Sequence, residues 1–121
     1  MKIERFEDVE AWKAGRDLVT VVCGSFSGCK DWGFRDQIQR AAVSVMSNVA
    51  EGFESGSNRE YARYLTIARA SAAEVKSLSY AALDLAYIAE ADRRRIQDLC
   101  DRASGLINGF LKYLKNTDRT R

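Results

Sequence analysis

The sequence predicts an all-α protein whose four helices form an antiparallel up-down-up-down four-helix bundle. Three glycine-rich or polar breaks divide the 121 residues into four segments of helical length. Within each segment, apolar residues recur three and four positions apart, the spacing that places them on one face of an α-helix. The chain has no proline, and its short connections favour antiparallel neighbours. We expect a single domain over residues 1–121.

The first predicted helix covers residues 8–23. We expect Phe6 to pack back over its first turn and Gly24 to end it in the left-handed conformation. The run at residues 18–22 has strong strand propensity, but no other segment offers a strand to pair with it, so we predict that it is helical. The apolar residues near one face of this helix are Phe6, Val9, Trp12, Val19 and Val22.

The second predicted helix covers residues 32–51, with Asp31 as its N-cap. We expect a glycine-containing loop at residues 52–56 to follow it. Its apolar stripe consists of Phe34, Ile38, Ala41, Ala42, Val45 and Val49. A polar stripe lies beside it and consists of Arg40, Ser44, Ser47, Asn48 and Glu51.

The third predicted helix, residues 58–88, has the sharpest start in the chain. Ser57 and Glu60 have the spacing of a capping box, in which the two residues satisfy each other's backbone amides. At 1.5 Å per residue this helix is roughly 45 Å long. Its apolar stripe consists of Tyr61, Tyr64, Leu65, Ala68, Ala72, Val75, Leu78, Ala82 and Leu85.

The fourth predicted helix covers residues 90–114 and is followed by a polar tail at residues 115–121. Its apolar residues alternate three and four positions apart, which is a seven-residue repeat. They are Ile96, Leu99, Ala103, Leu106, Phe110 and Tyr113.

Residue chemistry argues against an enzyme or a metalloprotein. The chain has no histidine, the commonest general base at neutral pH and the commonest metal ligand. Its three cysteines, Cys23, Cys29 and Cys100, lack the paired spacing of a zinc site. No nucleophile motif or phosphate loop is present. We expect no catalysis, no cofactor and no metal. Glu51 and Glu74 could face each other in the core, but two carboxylates are too few for a carboxylate-bridged metal site. The alternative is an enzyme that uses Glu51 or Glu74 as a desolvated carboxylate in a deep polar pocket.

The same features predict a cytoplasmic protein. An odd number of cysteines at unrelated spacings favours free thiols in a reducing compartment. No run of about 18 apolar residues is present, so we expect no membrane span. The first residues lack the long apolar core of a secretory signal.

Basic residues are concentrated at the end of the chain. The whole-chain net charge is +2, but residues 93–121 hold eight basic and three acidic side chains, a net charge of +5. This asymmetry favours a nucleic acid or another anionic surface. The alternative is a solvated helix face whose last-turn cations complement the helix dipole. The basic residues are Arg93, Arg94, Arg95, Arg102, Lys112, Lys115, Arg119 and Arg121.

The polar stripe of the second helix has two interpretations. Asn48 and Glu51 can pin the turn between the second and third helices by hydrogen bonds. Alternatively, these residues contact a ligand or a partner. A glutamate near a helix C-terminus opposes the dipole, so either interpretation requires a partner for Glu51.

Residues 37–52 carry a more specific pattern. They resemble the hallmark Q-x-x-R-A-A-x-S-x-x-S-N-I-A-E-G of a bacterial four-helix bundle family, whose members include proteins encoded by intervening sequences within large-subunit ribosomal RNA genes. The only departure within the hallmark is Val49 in place of isoleucine. Residues 6–14 are similar to the family's opening, and residues 64–75 to its third-helix motif. The family's first connector usually contains proline, whereas residues 26–29 here contain none. The residues that carry the pattern are Gln37, Arg40, Ser44, Asn48, Glu51, Gly52 and Glu74.

The resemblance implies an antiparallel four-helix bundle that assembles into a ring-like homopentamer. Such a ring is closed and heterologous, so two different faces of each bundle must meet. A related bundle is an accessory to the reverse transcriptases of diversity-generating retroelements and binds nucleic acid and the polymerase. A basic C-terminal helix repeated around a ring would produce a stronger field than one protomer.

Our hypothesis from the sequence is therefore a non-enzymatic oligomeric bundle that binds RNA or DNA. The alternative is a scaffold for protein–protein interaction that makes no nucleic-acid contact. The first-choice phosphate contacts are Arg93, Arg94, Arg95, Arg102, Lys112 and Lys115, and the second-choice contacts are Arg59 and Arg63.

Overall fold

Four α-helices, preceded by a single 3-10 turn, make up the computed structural model, which describes residues 3–117. The 3-10 turn is Phe6–Asp8, and the helices are α1 (Glu10–Ser25), α2 (Trp32–Phe53), α3 (Asn58–Asp84) and α4 (Glu90–Lys115). No strand occurs within residues 3–117. The end of the predicted polar tail, including Arg119 and Arg121, lies outside the described residues.

Each helix packs against two others. The contacts join α1 with α2, α2 with α3, α3 with α4, and α4 back to α1. Helices consecutive in the chain are therefore neighbours in space, and the last helix closes the arrangement on the first. This confirms the predicted all-α four-helix bundle.

The helix starts follow the sequence signals closely. The Asp31 side chain accepts a hydrogen bond from the Phe34 amide, and Ser57 accepts one from the Glu60 amide. Phe6 packs edge-on against Trp12, with ring centroids 5.3 Å apart. Residues 18–22 are helical, because Leu18 and Val22 are fully buried in the bundle core and tertiary burial outweighs strand propensity.

The helix ends differ from the predictions. Gly24 does not terminate α1, since no described glycine has a positive φ and the helix continues to Ser25 before the buried Phe26. The loop predicted to begin at Gly52 begins later, because α2 runs on through Phe53. Burial of Phe26 extends α1 beyond Gly24, and close packing of Gly52 against α3 extends α2 beyond that glycine.

The third helix ends at Asp84, four residues earlier than predicted. The turn that ends it places Ala86 in the left-handed region, with φ of 61°. The Tyr87 amide donates to the Ala82 carbonyl at 2.8 Å, as in a Schellman motif. Leu85, predicted to belong to the core stripe, is 55% exposed as a result.

The buried stripe of α4 keeps a seven-residue repeat, but alternate members lie one residue later than predicted. Tyr113 is 57% exposed, whereas Leu114 is buried. Cys100 and Ile107 are likewise buried, whereas the predicted Leu99 and Leu106 are only half-buried. The period was therefore predicted correctly, and packing against α1 and α3 decided which of two adjacent positions is buried in each repeat. The buried α4 residues are Arg93, Ile96, Cys100, Ala103, Ile107 and Leu114.

One end of the bundle core is aromatic. It lies where α1 and α3 begin and α2 and α4 end. Tyr61 is 1% exposed, and its ring centroid is 5.0 Å from that of Phe110 and 6.2 Å from that of Phe53. This packed layer fixes the start of α3 against the end of α4, which positions the surface described next.

Candidate nucleic-acid interface

A surface groove with a volume of about 600 Å³ runs between the first part of α3 and the last part of α4. Its α3 side presents residues spaced three and four apart, as expected for one helix face. The residues that line it are Asn58, Arg59, Ala62, Thr66 and Arg69 from α3, and Asn108, Leu111, Lys112, Leu114 and Lys115 from α4.

Side-chain hydrogen bonds from α3 lie at the two ends of this groove. At one end, the Asn58 amide group donates to the backbone carbonyls of Leu114 and Thr117. At the other end, Arg69 Nη1 donates to Asn108 Oδ1 at 2.7 Å. Asn58 and Arg69 are eleven residues apart, or roughly 16 Å along the helix axis. The groove is therefore a short trough that already has its shape in the isolated chain.

The charged residues of the groove are all basic. Arg59, Arg69, Lys112 and Lys115 line it, and none of the described lining residues carries a carboxylate. Within residues 3–117, Arg59, Lys112 and Lys115 form no ion pair, and Arg69 is held by the neutral Asn108. Four cations and no carboxylate among the described lining residues of one concave surface favour an anionic ligand.

Apolar side chains form part of the groove between these cations. Ala62 and Leu111 are half-buried, and Leu114 is buried. Thr66, from the middle of the trough, adds a hydroxyl group that donates to the Ala62 carbonyl at 2.8 Å. The groove thus combines an apolar floor with a positively charged rim.

The structure brings three of the predicted contacts together and adds a fourth residue. Lys112 and Lys115 were first-choice candidates and Arg59 a second-choice one; all three line the groove. Arg69 was not selected from the sequence. The signal that identifies it is the spacing of Arg59, Ala62, Thr66 and Arg69, which places a second arginine on the helix face that begins with the first.

Arg93, a first-choice phosphate contact, is instead a structural residue. Its side chain is 11% exposed. The guanidinium donates to Glu90 Oε1 at 2.6 and 3.0 Å and to Gln97, and it lies 4.5 Å from the ring centroid of Tyr80. The hydrogen bond to Glu90 raises the pKa of Arg93 above its ordinary value. Three of its five N–H groups are used within α4, so the geometry favours a structural role for this guanidinium over a phosphate contact.

The remaining predicted cations lie apart from the groove. Arg94 is exposed but pairs with Glu90 at 3.3 Å, and Arg102 lies 3.9 Å from a carboxylate oxygen of Glu10.

Arg95 lines a smaller depression of about 270 Å³ together with Asp92, between the end of α1 and the start of α4. Arg63 pairs with Glu60 at 3.1 Å and lies 4.6 Å from the ring centroid of Tyr64.

The hallmark polar residues lie along the contact between α2 and α3. Ser44 and Ser71 share a hydrogen bond of 2.8 Å across the two helices. Gln37 donates to Glu74 at 3.4 Å, and Arg40 pairs with Asp36 on its own helix at 2.8 Å.

Two expectations for these residues do not match the geometry: that Asn48 pins the turn after α2, and that Glu51 and Glu74 face each other in the core. Asn48 donates to the carbonyl and hydroxyl oxygens of Ser44 within α2, not to the following turn. Glu51 and Glu74 are both exposed, so the expectation that they face each other in the core is wrong. A pair of exposed carboxylates does not form the desolvated site that the enzyme alternative required.

The cysteines are free thiols with different environments. Cys23 is exposed, whereas Cys29 and Cys100 are buried. Burial raises the pKa of the Cys100 thiol to about 12, which makes it a poor nucleophile. Among the described residues, no three Cys, Asp or Glu side chains form a group that could hold a metal ion. None of the helices within residues 3–117 combines the length and apolar character needed to cross a membrane.

Comparison with known proteins identifies a family and a similar fold. The model of a family described as 23S rRNA-intervening sequence protein matches residues 7–109. A crystal structure of a protein with unknown function from the S23 ribosomal protein family, from Bacteroides thetaiotaomicron, superposes with a TM-score of 0.79. That match covers 84% of this chain and 98% of that chain at 17% sequence identity, so it shows a shared fold. A search of curated proteins found no match.

Proposed function

This chain belongs to the 23S rRNA-intervening sequence protein family, and on that premise we propose its function. The proposed function is that of a non-enzymatic, cytoplasmic and oligomeric helical bundle that binds RNA or DNA. Its groove between α3 and α4 holds the phosphate backbone.

The observation that carries this proposal is the composition of the groove. Arg59, Arg69, Lys112 and Lys115 line one concave surface in which no described lining residue is acidic. Phosphate contacts from Lys and Arg supply most of the affinity in nucleic-acid binding that does not depend on sequence. The +5 charge of residues 93–121 adds a longer-range attraction to a polyanion.

Oligomerisation is part of the proposal, and an exposed face of α2 and α3 supports it. Val43 is 45% exposed and Ile67 39% exposed, and they flank the hydrogen-bonded pair of Ser44 and Ser71. Exposed apolar side chains on neighbouring helices favour a protein contact. The ring-like homopentamer that the hallmark implies would use such a face and would present five grooves to one nucleic acid, which raises avidity.

A protein-binding scaffold is the second candidate function. Trp32 is 67% exposed and Leu85 55% exposed, and both lie at the end of the bundle opposite the groove. Exposed aromatic and aliphatic side chains are typical anchors of protein interfaces. This surface is separate from the groove, so variants distinguish the two functions.

Fluorescence anisotropy with a labelled single-stranded RNA tests the proposal. We expect binding at about 50 mM salt that weakens steeply as salt rises, because each phosphate contact releases counterions. The double variant Arg59→Gln/Lys112→Gln should bind at least about tenfold more weakly.

The matched control is Arg16→Gln/Lys30→Gln. It removes the same charge from exposed positions outside the groove and should bind like the unmodified chain. Absence of binding at about 50 mM salt, or equal weakening by both double variants, contradicts the proposal.

A further inference from the structure

We infer that the groove selects a single-stranded segment over a duplex and holds at most four consecutive phosphates in each protomer. This inference rests on the proposed function and specifies its ligand. Three features of the groove carry it: its apolar floor, its short length and the absence of aromatic side chains among the described lining residues.

The apolar floor of the groove fits the flat, largely apolar face of an unpaired base. Ala62, Leu111 and Leu114 lie between the basic residues, so a ligand that contacts the cations also covers apolar surface. A duplex keeps its bases stacked inside and presents only its sugar–phosphate edge to a narrow trough. A single strand can turn one base onto the floor while its phosphates reach Arg59 and Lys112. Only a single strand can therefore contact the basic residues and cover the apolar floor at the same time.

The length of the trough limits the number of phosphates. The hydrogen bonds of Asn58 to Leu114 and of Arg69 to Asn108 lie at its two ends, roughly 16 Å apart along α3. Four cations line this length. Since single strands lose affinity with a log–log slope of about −0.7 per neutralised phosphate, each protomer should show a slope no steeper than about −2.8.

The absence of stacking limits sequence preference. None of the described residues that line the groove is aromatic, whereas stacking on aromatic rings contributes much of the affinity in many single-strand binders. Contact between a base and Leu111 does not distinguish one base from another. Binding should therefore be modest for each protomer and similar for different base compositions.

The test compares one mixed-sequence strand, alone and annealed to its complement, by anisotropy at several salt concentrations. The strand alone should bind at least about tenfold more tightly than the duplex. Oligonucleotides of two to six residues should gain affinity up to about four phosphates and then level off.

A substitution in the apolar floor distinguishes the contribution of the groove's shape to binding from that of its charge. Ala62→Met fills the trough and leaves all four cations in place, so we expect it to weaken binding of the single strand at least about fivefold with little effect on the weak duplex binding. Ala70→Met is the control, because Ala70 is an exposed alanine of α3 outside the groove, and it should change neither affinity. Circular dichroism melting of both variants verifies folding.

The outcomes separate this inference from the function on which it rests. If the duplex binds as tightly as the strand and Arg59→Gln/Lys112→Gln weakens both, the preference for single strands is wrong and the nucleic-acid function stands. If Ala62→Met and Ala70→Met behave alike in folded protein, the role of the floor is wrong. If neither strand nor duplex binds, both the inference and the proposed function fail.

Discussion

Gly52 packs so closely against Tyr61 that a Cβ atom on the glycine would lie 2.8 Å from Tyr61 Cδ1. The same atom would lie 2.8 Å from the Cβ of Tyr64. Gly52 belongs to the last turn of α2, so the glycine serves close helix packing rather than a turn. The end of α2 can approach α3 only because this position has no side chain, and the approach seats the aromatic core layer beneath the groove.

The first prediction concerns this contact. Gly52→Ala should lower the free energy of unfolding by about 1–3 kcal/mol, because the Tyr61 ring is buried and cannot move without disturbing its neighbours. Gly109→Ala is the control, since that glycine is in α4 and a Cβ there meets nothing within 4 Å. It should gain about 0.5–1 kcal/mol from helix propensity. Urea denaturation measures both, and equal effects would contradict the packing argument.

The second prediction concerns the end of α3. Ala86 has a φ of 61°, a conformation that costs a residue with a Cβ roughly 1–2 kcal/mol. Ala86→Gly should therefore stabilise the protein by about 1 kcal/mol. Ala70→Gly, in the exposed interior of the same helix, should destabilise it by about as much. Thermal melting gives both values, and a loss of stability in Ala86→Gly would refute the prediction.

The third prediction distinguishes two adjacent arginines. Arg93→Gln should lower the melting temperature clearly, because it removes hydrogen bonds to Glu90 and Gln97 from a side chain that is only 11% exposed. Arg94→Gln should have little effect, because that side chain is 74% exposed and surface pairs contribute little. Neither variant should weaken nucleic-acid binding to the extent of the groove variants. Equal melting temperatures for the two variants would show that Arg93 has no structural role.

The fourth prediction follows from the Cys100 thiol. Its pKa rises from about 9 in the unfolded chain to about 12 in the fold. A raised pKa stabilises the fold fully below the unfolded value, so stability should fall as pH increases from about 9 towards about 12. Cys100→Ala should flatten this alkaline loss, whereas Cys23→Ala, at an exposed thiol, should not. Denaturant midpoints measured across this pH range test the assignment, which fails if both variants retain the full loss.

The fifth prediction concerns acid. A hydrogen bond from the Tyr87 hydroxyl, at 2.6 Å, and one from the Phe34 amide lower the pKa of Asp31 below its ordinary value of 3.8. A lowered pKa stabilises the fold above the unfolded value, and this contribution is lost as pH falls through the folded value. Tyr87→Phe should reduce the loss of stability below about pH 4. Lys76 pairs with Asp101 and not with Asp31. Lys76→Gln should therefore leave the loss of stability that Asp31 causes below about pH 4 unchanged. An unaltered acid response in Tyr87→Phe would exclude this hydrogen bond as its cause.

Local signals determined where the helices begin. Asp31 and Ser57 were predicted as caps from the sequence, and both accept the expected amide, because a cap is a contact between residues two or three apart. The buried faces of α2 and α3 also followed from spacing, since a stripe of apolar residues has only one direction in which to be buried.

Other features required distant parts of the chain to meet. Gly24 and Gly52 look like helix terminators, yet α1 and α2 continue past them because Phe26 is buried and Gly52 packs on Tyr61. Arg93 looks like its exposed neighbours in a basic run, yet it faces Tyr80 of α3. The spacing of residues within one helix cannot predict these contacts, because each joins residues from different parts of the chain.

The sequence by itself determined the four helices, the buried faces of α2 and α3, the family and the excess of basic residues near the C-terminus, because each depends on short spacings or on composition. Only the tertiary structure decided which basic residues share a surface. Arg59 and Lys112 are far apart in the chain and line one groove because α3 and α4 run in opposite directions, which places the start of one beside the end of the other.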